Sequence, residues 1–263
     1  MFPKIMAVVN ITPDSFSDGN EKLNLNERIS FAEQMVNYGA DIIDIGGETT
    51  KPYSNPTPSN IEIDRVIPLL KQIKNKFPTI PISIDTRKVE VANECLKHNA
   101  NIINDVSGLQ YDPEIADVVA KYNAELIITH SKGNPQNMQN NPFYENVIEE
   151  VFNFLKEKIA FAKSKGVEKI IGDVGIGFGK TLEHNLTLLK NISHFLLLNV
   201  PMLLGISRKK FIREITGEET PRNRDFATML YYSLLLKEQS ISIIRVHNVQ
   251  LAVQMKKIYL SLC

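Results

Sequence analysis

Asp85, Asn104 and Asp173 each stand just beyond a short apolar run, in the stretches SIDT (83–86), INDVSG (103–108) and IIGDVGIGFGK (170–180). Two carboxylates and an amide that converge suit a flat heterocycle whose edge presents N–H donors and a carbonyl. Buried carboxylates would cost heavily without such partners. A metal site is the alternative, but it would favour histidine or a tighter grouping of carboxylates. A second set of residues is cationic. GISRKKF (205–211) places Ser207, Arg208 and Lys209 at a strand-to-helix junction, an arrangement that attracts anions. RVHNV (245–249) adds Arg245 and His247, and Asn10 heads the run NITPDSFSDG (10–19). An amide at Asn10 could meet a hard cation or a phosphate oxygen. Isolated, His247 reads as a rim histidine and residues 12–19 as a surface loop. If the first and last strands are neighbours, however, Asn10, Arg245 and His247 make a pyrophosphate site. DIGGETTKP (44–52) contributes Glu48, Thr49, Thr50 and Lys51 behind two glycines, and HSKGNPQNMQ (130–139) reads as a long loop.

What must position these groups is a repeated unit of strand, polar tip, loop and helix. The stretch 170–180 shows it whole: apolar residues, then Asp173, then a loop with Gly175, Gly177 and Gly179, then Thr181 opening a helix. Strand-like runs recur at 5–9, 42–45, 82–84, 102–103, 126–129, 170–171, 202–204 and 243–246. They are short and mostly continuous, as strands buried on both faces are. Nearly every one ends in a group that can hydrogen-bond or carry charge: Asn10, Asp44 to Glu48, Asp85, Asn104 with Asp105, His130, Asp173, Ser207 to Lys209, and Arg245 with His247. One such residue is explained by capping or loop closure; a ring of them is not. The alternation predicts an α/β fold, a closed (β/α)8 TIM barrel in one domain over 1–263, with the active site at the C-terminal ends of the strands. Between the strands, Ser59 to Glu62 has the form of a capping box. Asp112-Pro113 places a cap and a first-turn proline before a helix over 114–122. Residues 144–165 carry Val147, Val151, Phe154, Leu155 and Ile159 on one helical face.

The chain of 263 residues is close to the roughly 250 of a single such barrel. Its formal net charge is zero, which argues against nucleic-acid binding by bulk charge but not against a local basic pocket. Its two cysteines, Cys95 and Cys263, exclude a disulfide framework and fit a reducing compartment. Cys95 and His98 have the spacing of half a zinc site, but no second pair accompanies them. The N-terminus lacks a signal-peptide pattern, and the most apolar run, 195–206, is interrupted by Asn199 and Pro201 and far too short to span a bilayer. The expectation is a cytoplasmic protein with no membrane partner. His98, His184 and His194 fall on helical stretches and receive no role.

In series, NITPDSFSDG, DIGGETT, INDVSG, GIGFGK, SRK and RVH resemble the dihydropteroate synthases, folate-pathway barrel enzymes, in the family's order from Asn10 to Asn248. The resemblance implies a transferase that joins dihydropterin pyrophosphate to 4-aminobenzoate with Mg2+ and loss of pyrophosphate. It implies that Asp85, Asn104, Asp173 and Lys209 hold the pterin, and that Asn10, Arg245, His247 and Mg2+ hold the pyrophosphate, with Asn10 as the metal ligand. Thr50, Phe178 and Ser207 would shape the 4-aminobenzoate side, Lys209, Arg245 and His247 would be catalytic, and the enzyme would be a homodimer and a sulfonamide target. Four positions depart from the family: Lys51 for arginine, Ser131 for methionine, Val174 for proline and Asn248 for aspartate. A pterin-binding methyltransferase would not need SRK, RVH or NITPDSFSDG. A non-catalytic pterin-binding barrel would bind ligand without turnover.

Overall fold

The computed structural model describes residues 1–12, 24–49, 55–133, 141–238 and 240–262. Eight parallel strands close on themselves in sequence order: β1 (Lys4–Asn10), β2 (Ile42–Gly46), β3 (Ile82–Asp85), β4 (Ile102–Asp105), β5 (Glu125–Thr129), β6 (Lys169–Asp173), β7 (Met202–Leu204) and β8 (Ile243–Val246). Pairing of β1 with both β2 and β8 completes the predicted barrel. Helices α1 (Leu25–Tyr38), α2 (Ser59–Lys76), α3 (Val89–Lys97), α4 (Ile115–Lys121), α5 (Val147–Ser164) and α6 (Leu182–Lys190) follow the first six strands. Two helices, α7 (Lys210–Thr216) and α8 (Asp225–Leu235), lie between β7 and β8, and α9 (Val249–Ser261) packs back on α1.

The strand side chains alternate between two buried environments. One set faces the helices and merges with their apolar faces into the main core. The other fills the barrel. Met6, Ile42, Ile102, Ile127, Ile171, Leu203 and Ile243 form a separate apolar plug on the barrel axis. Two residues further along the same strands stand Val8, Asp44, Asn104, Thr129, Asp173, Gly205 and Arg245. Because the side-chain period of a strand is two, these also point inward. The interior therefore changes from hydrocarbon to charge within one layer, toward the C-terminal end.

Three local expectations are corrected. Ser59 does not form a capping box: Pro58 occupies the cap of α2 without a side-chain bond, and the Ser59 hydroxyl donates to Glu90 at 3.3 Å. Glu62 is fully buried and takes the Lys88 ammonium instead. Asp112 does not cap α4, whose cap is Glu114; its carboxylate accepts from the Val89 amide at 2.9 Å, at the start of the neighbouring α3. The helix expected from Tyr144 begins at Val147, capped by the Asn146 side chain on the Ile148 and Glu149 amides. Tyr144, left outside it, donates its hydroxyl to the Gly179 carbonyl at 2.8 Å. His98 lies just past α3 and its ring is 3.3 Å from Glu94, while Cys95 is buried in the core, where burial pushes its thiol pKa up. Among the described residues no group of three or more His, Cys, Asp or Glu could hold a metal.

Candidate active site

A cavity of about 200 Å³ opens at the C-terminal ends of the strands. Seven of the residues given a role by the resemblance line it: Asn10, Asp85, Phe178, Ser207, Lys209, Arg245 and His247; Glu48, Thr49 and Arg208 line it too. Asn104 and Asp173 do not; they are buried in the inward-facing positions that lead down from it. Thr50 and Lys51, most of the loop after β1 and residues 134–140 of the loop after β5 lie outside the described residues. A larger hollow of about 780 Å³ lies at the opposite end, against Pro3, Lys4, Glu125, Lys169 and Ser242 at the strand starts. In barrels that end serves stability rather than chemistry.

Arg245 occupies the centre of the site. Its Nε donates to Asp44 Oδ2 at 2.6 Å and its Nη2 to Asp85 Oδ2 at 2.8 Å. Burial pulls the guanidinium pKa down, but the Asp44 and Asp85 carboxylates outweigh it and raise the net value. Asp85 is pushed up to about 7 by burial, with Arg245 pulling the other way and Asp44, Glu62 and Glu48 adding like charge. Asp44 also accepts from the Asn104 amide at 3.3 Å. Asp173 accepts from the Gly175 amide at 2.8 Å, and burial raises its pKa against the pull of Lys209. Lys209 donates to the Ile176 carbonyl and sits 4.4 Å from the centre of the Phe178 ring. Burial lowers its pKa to about 8, Asp173 resisting. Acids and cations thus alternate around one mouth.

Between β7 and β8 a serine meets a histidine at the mouth. Ser207 Oγ accepts from the His247 amide at 3.2 Å and lies 2.9 Å from His247 Nδ1. Burial, with Arg208, Arg245 and Lys209 nearby, holds His247 well below the usual histidine range. Arg208 lines the cavity, and its guanidinium makes a two-pronged pair with Asp225 at 2.6 and 2.8 Å; α7 has only seven residues. Asn248 joins the same cluster: its amide donates to Asp225 at 3.0 Å and its oxygen caps α9 at the Leu251 amide. Aspartate at 248 would set a second carboxylate against Asp225, so the asparagine fits this chain. Ser131 turns its hydroxyl to the Gly133 carbonyl at 3.2 Å, and Val174 is buried in the core.

Several supporting residues had no role in the sequence reading. Lys180 is buried, with its ammonium 2.8 Å from His130 Nδ1, 2.9 Å from the Gly175 carbonyl and 3.0 Å from the Phe178 carbonyl. Burial lowers its pKa well below the ordinary lysine value. It ties the loop after β6 to His130, which does not line the cavity. The two loops touch backbone to backbone: a Cβ on Gly175, at φ +66°, would stand 1.8 Å from the His130 carbonyl oxygen, so only glycine fits. Arg28 of α1 holds the Asn10 and Thr12 carbonyls at 2.6 and 3.4 Å. Glu48 pairs with Arg87 and Lys88, each at 3.0 Å, and accepts from the Thr57 amide at 2.7 Å. Burial works against its charge, but these partners hold its pKa below the usual carboxylate value. Lys180, standing next to the glycine loop in its own motif, was the one signal in the sequence that pointed to such a support. Asp105 belongs here too, closing its own loop on Ser107 and Leu109.

A family model described as pterin binding enzyme matches residues 6–247. The chain is 40% identical over 256 residues to a dihydropteroate synthase of Synechocystis sp., covering 97% of this chain and 88% of the relative. Among solved structures it is similar to the Yersinia pestis dihydropteroate synthase with a sulfonamide drug: TM-score 0.92, 33% identity, 97% of this chain and 92% of the other. It is also similar to that of Thermus thermophilus in complex with 4-aminobenzoate: TM-score 0.89, 33% identity, 99% and 95%.

Proposed function

The chain belongs to the pterin-binding enzyme family, and from that premise we propose that its cavity joins 6-hydroxymethyl-7,8-dihydropterin pyrophosphate to 4-aminobenzoate. The products are 7,8-dihydropteroate and pyrophosphate, so the enzyme is a dihydropteroate synthase of folate biosynthesis. The observation that carries this reading is the juxtaposition of Asp85 and Asp173 with Lys209 and Arg245 in and beneath one mouth. A reaction that breaks a carbon–oxygen bond develops positive charge on the pterin methylene and negative charge on the departing pyrophosphate. Fixed carboxylates near the first and fixed cations near the second lower its barrier.

In this reading Asp85, Asn104 and Asp173 accept from the pterin's N–H edge, and Lys209 meets its ring. Arg245, His247 and Asn10 face the pyrophosphate, and Lys209, Arg245 and His247 are the catalytic groups. The arylamine lone pair attacks the methylene carbon, the carbon–oxygen pair leaves with pyrophosphate, and the extra amine proton passes to water. A neutral arylamine is already nucleophilic, so no dedicated base is required. Phe178 and Ser207, with Thr50, shape the 4-aminobenzoate side. The Asn10 side-chain oxygen at the cavity wall suits Mg2+, which is commonly held by one or two protein oxygens and substrate phosphates. Bound there, the ion would neutralise charge on the leaving group.

The barrel elements run from Lys4 to Ser261, which supports reading residues 1–263 as one domain. Phe226, Leu230 and Leu234 recur every fourth residue along α8 and are all exposed. This stripe supports a homodimer, which Phe226→Asp would weaken in sedimentation velocity. Among the described residues no helix is long and apolar enough to cross a membrane; with a buried free thiol at Cys95, we place the enzyme in the cytoplasm. The reaction is tested by pyrophosphate release from the dihydropterin pyrophosphate with and without 4-aminobenzoate. Release that depends on the arylamine supports the enzyme. Binding without release would mean a non-catalytic pterin-binding barrel.

A further inference from the structure

We propose that Asp44 is a positioning residue for the leaving-group end of the reaction, acting through Arg245; this rests on the reading of the cavity given above. Asp44 lies on the inward face of β2, is fully buried and does not line the cavity, and its hydrogen bonds go to Arg245 and Asn104. It acts instead on two groups that the reading places against substrate.

The first is the guanidinium. Nε and Nη2 share one edge of a planar fork, and that edge is turned to Asp44 and Asp85. The Nη1 end makes no hydrogen bond among the described residues, and Arg245 lines the cavity. An arginine side chain has many rotamers, but its fork loses little further freedom once one edge is fixed. Of the two anchors, Asp85 is shared with the pterin edge and faces the cavity, whereas Asp44 is reserved. When a pterin takes up Asp85, the Nε contact at 2.6 Å still holds the guanidinium in register for the pyrophosphate.

The second group is Asn104. A carboxylate paired to a guanidinium only accepts, so the Asn104 nitrogen must be the end that faces it, as the 3.3 Å contact shows. The Asn104 oxygen is then the atom left for a ligand N–H. Asp44 itself is left incomplete: Oδ1 has no hydrogen-bond partner among the described residues. A buried acceptor without a partner is costly. Such an exception in a site of this kind is explained by function more readily than by stability.

The test is a double-mutant cycle of Asp44→Asn and Arg245→Ala, with the affinity for inorganic pyrophosphate and the melting temperature measured on each preparation. With Arg245 present, Asp44→Asn should weaken pyrophosphate about tenfold or more. In the Arg245→Ala background the same change should have almost no effect on pyrophosphate. Equal losses in both backgrounds, or unchanged affinity with only a lowered melting point, would overturn the proposal. Should Asp44→Asn not fold, Asp44→Glu, which keeps the charge at a changed reach, takes its place with the same expectations. Wild-type turnover is followed alongside. A normal cycle without turnover would sink the proposed reaction and leave the role of Asp44 standing.

Discussion

Replacing Arg245 by alanine separates a binding role from a purely structural one. The guanidinium bridges Asp44, whose side chain is 0% exposed, and Asp85, whose side chain is 10% exposed. Breaking a buried ion pair by removing one partner costs about 3–5 kcal/mol. For a chain of this size that is a fall in melting temperature of roughly 6–20 °C. The loss has a pH signature. Asp85 already sits at about 7 in the folded protein, above its ordinary 3.8, and Arg245 is the partner pulling it down. A carboxyl whose folded pKa exceeds its unfolded one stabilises below the unfolded value and loses that contribution as pH rises through the folded value. Without Arg245 the Asp85 value rises further, so the variant's deficit should shrink as pH falls from about 8 to about 5 and Asp85 takes up its proton. Alongside this, pyrophosphate affinity should fall by about one to two powers of ten, the worth of a charge-assisted contact, while an unphosphorylated pterin analogue loses less. Calorimetry and melting on one preparation decide the matter. Normal pyrophosphate affinity with a lowered melting point would refute the binding role, and an unchanged melting point would refute the structural one.

Asp173→Ala should lose pterin affinity by roughly 1–3 kcal/mol or more, since ring N–H groups would be left unpaired in a dry pocket; unchanged affinity in a folded variant rules the contact out. Pterin binding should be strongest between about pH 7 and about pH 8. Below that window Asp85, at about 7, loses its acceptor charge, and above it Lys209, at about 8, loses its cation; a flat titration from about pH 6 to about pH 9 would contradict both assignments. Lys180→Met should cost about 1–3 kcal/mol for each acceptor it strands in the interior, His130 Nδ1 and the Gly175 and Phe178 carbonyls. It should also raise the KM for 4-aminobenzoate more than that for the pterin, because Phe178 rides on the loop it ties down; an equal rise in both would place the lysine's role elsewhere.

By itself the sequence determined the barrel and its active end. Eight short apolar runs ending in polar tips admit few other arrangements, and the period of two decides which tips face inward. That is why Asp85, Lys209, Arg245, His247 and Asn10, drawn from strands far apart in the chain, could be assigned to one mouth before any coordinates. Caps were less legible, because a cap is a local preference that a tertiary partner can outbid. Glu62 fits the capping-box spacing, yet a buried carboxylate beside Lys88 gains more from an ion pair than from a helix amide, and Asp112 meets the Val89 amide of the neighbouring helix instead of one in its own. What only the tertiary structure decided is pairing across the barrel. Asp44 and Arg245 are separated by 201 positions, and nothing in either motif names the other. Lys180 finds His130 fifty positions away, and Asn248 is matched to Asp225 rather than to its own strand. Hydrogen-bond partners inside a closed barrel are selected by which side chains the curvature brings within about 3 Å of each other, a property of the closed ring of strands that no single stretch of the chain contains.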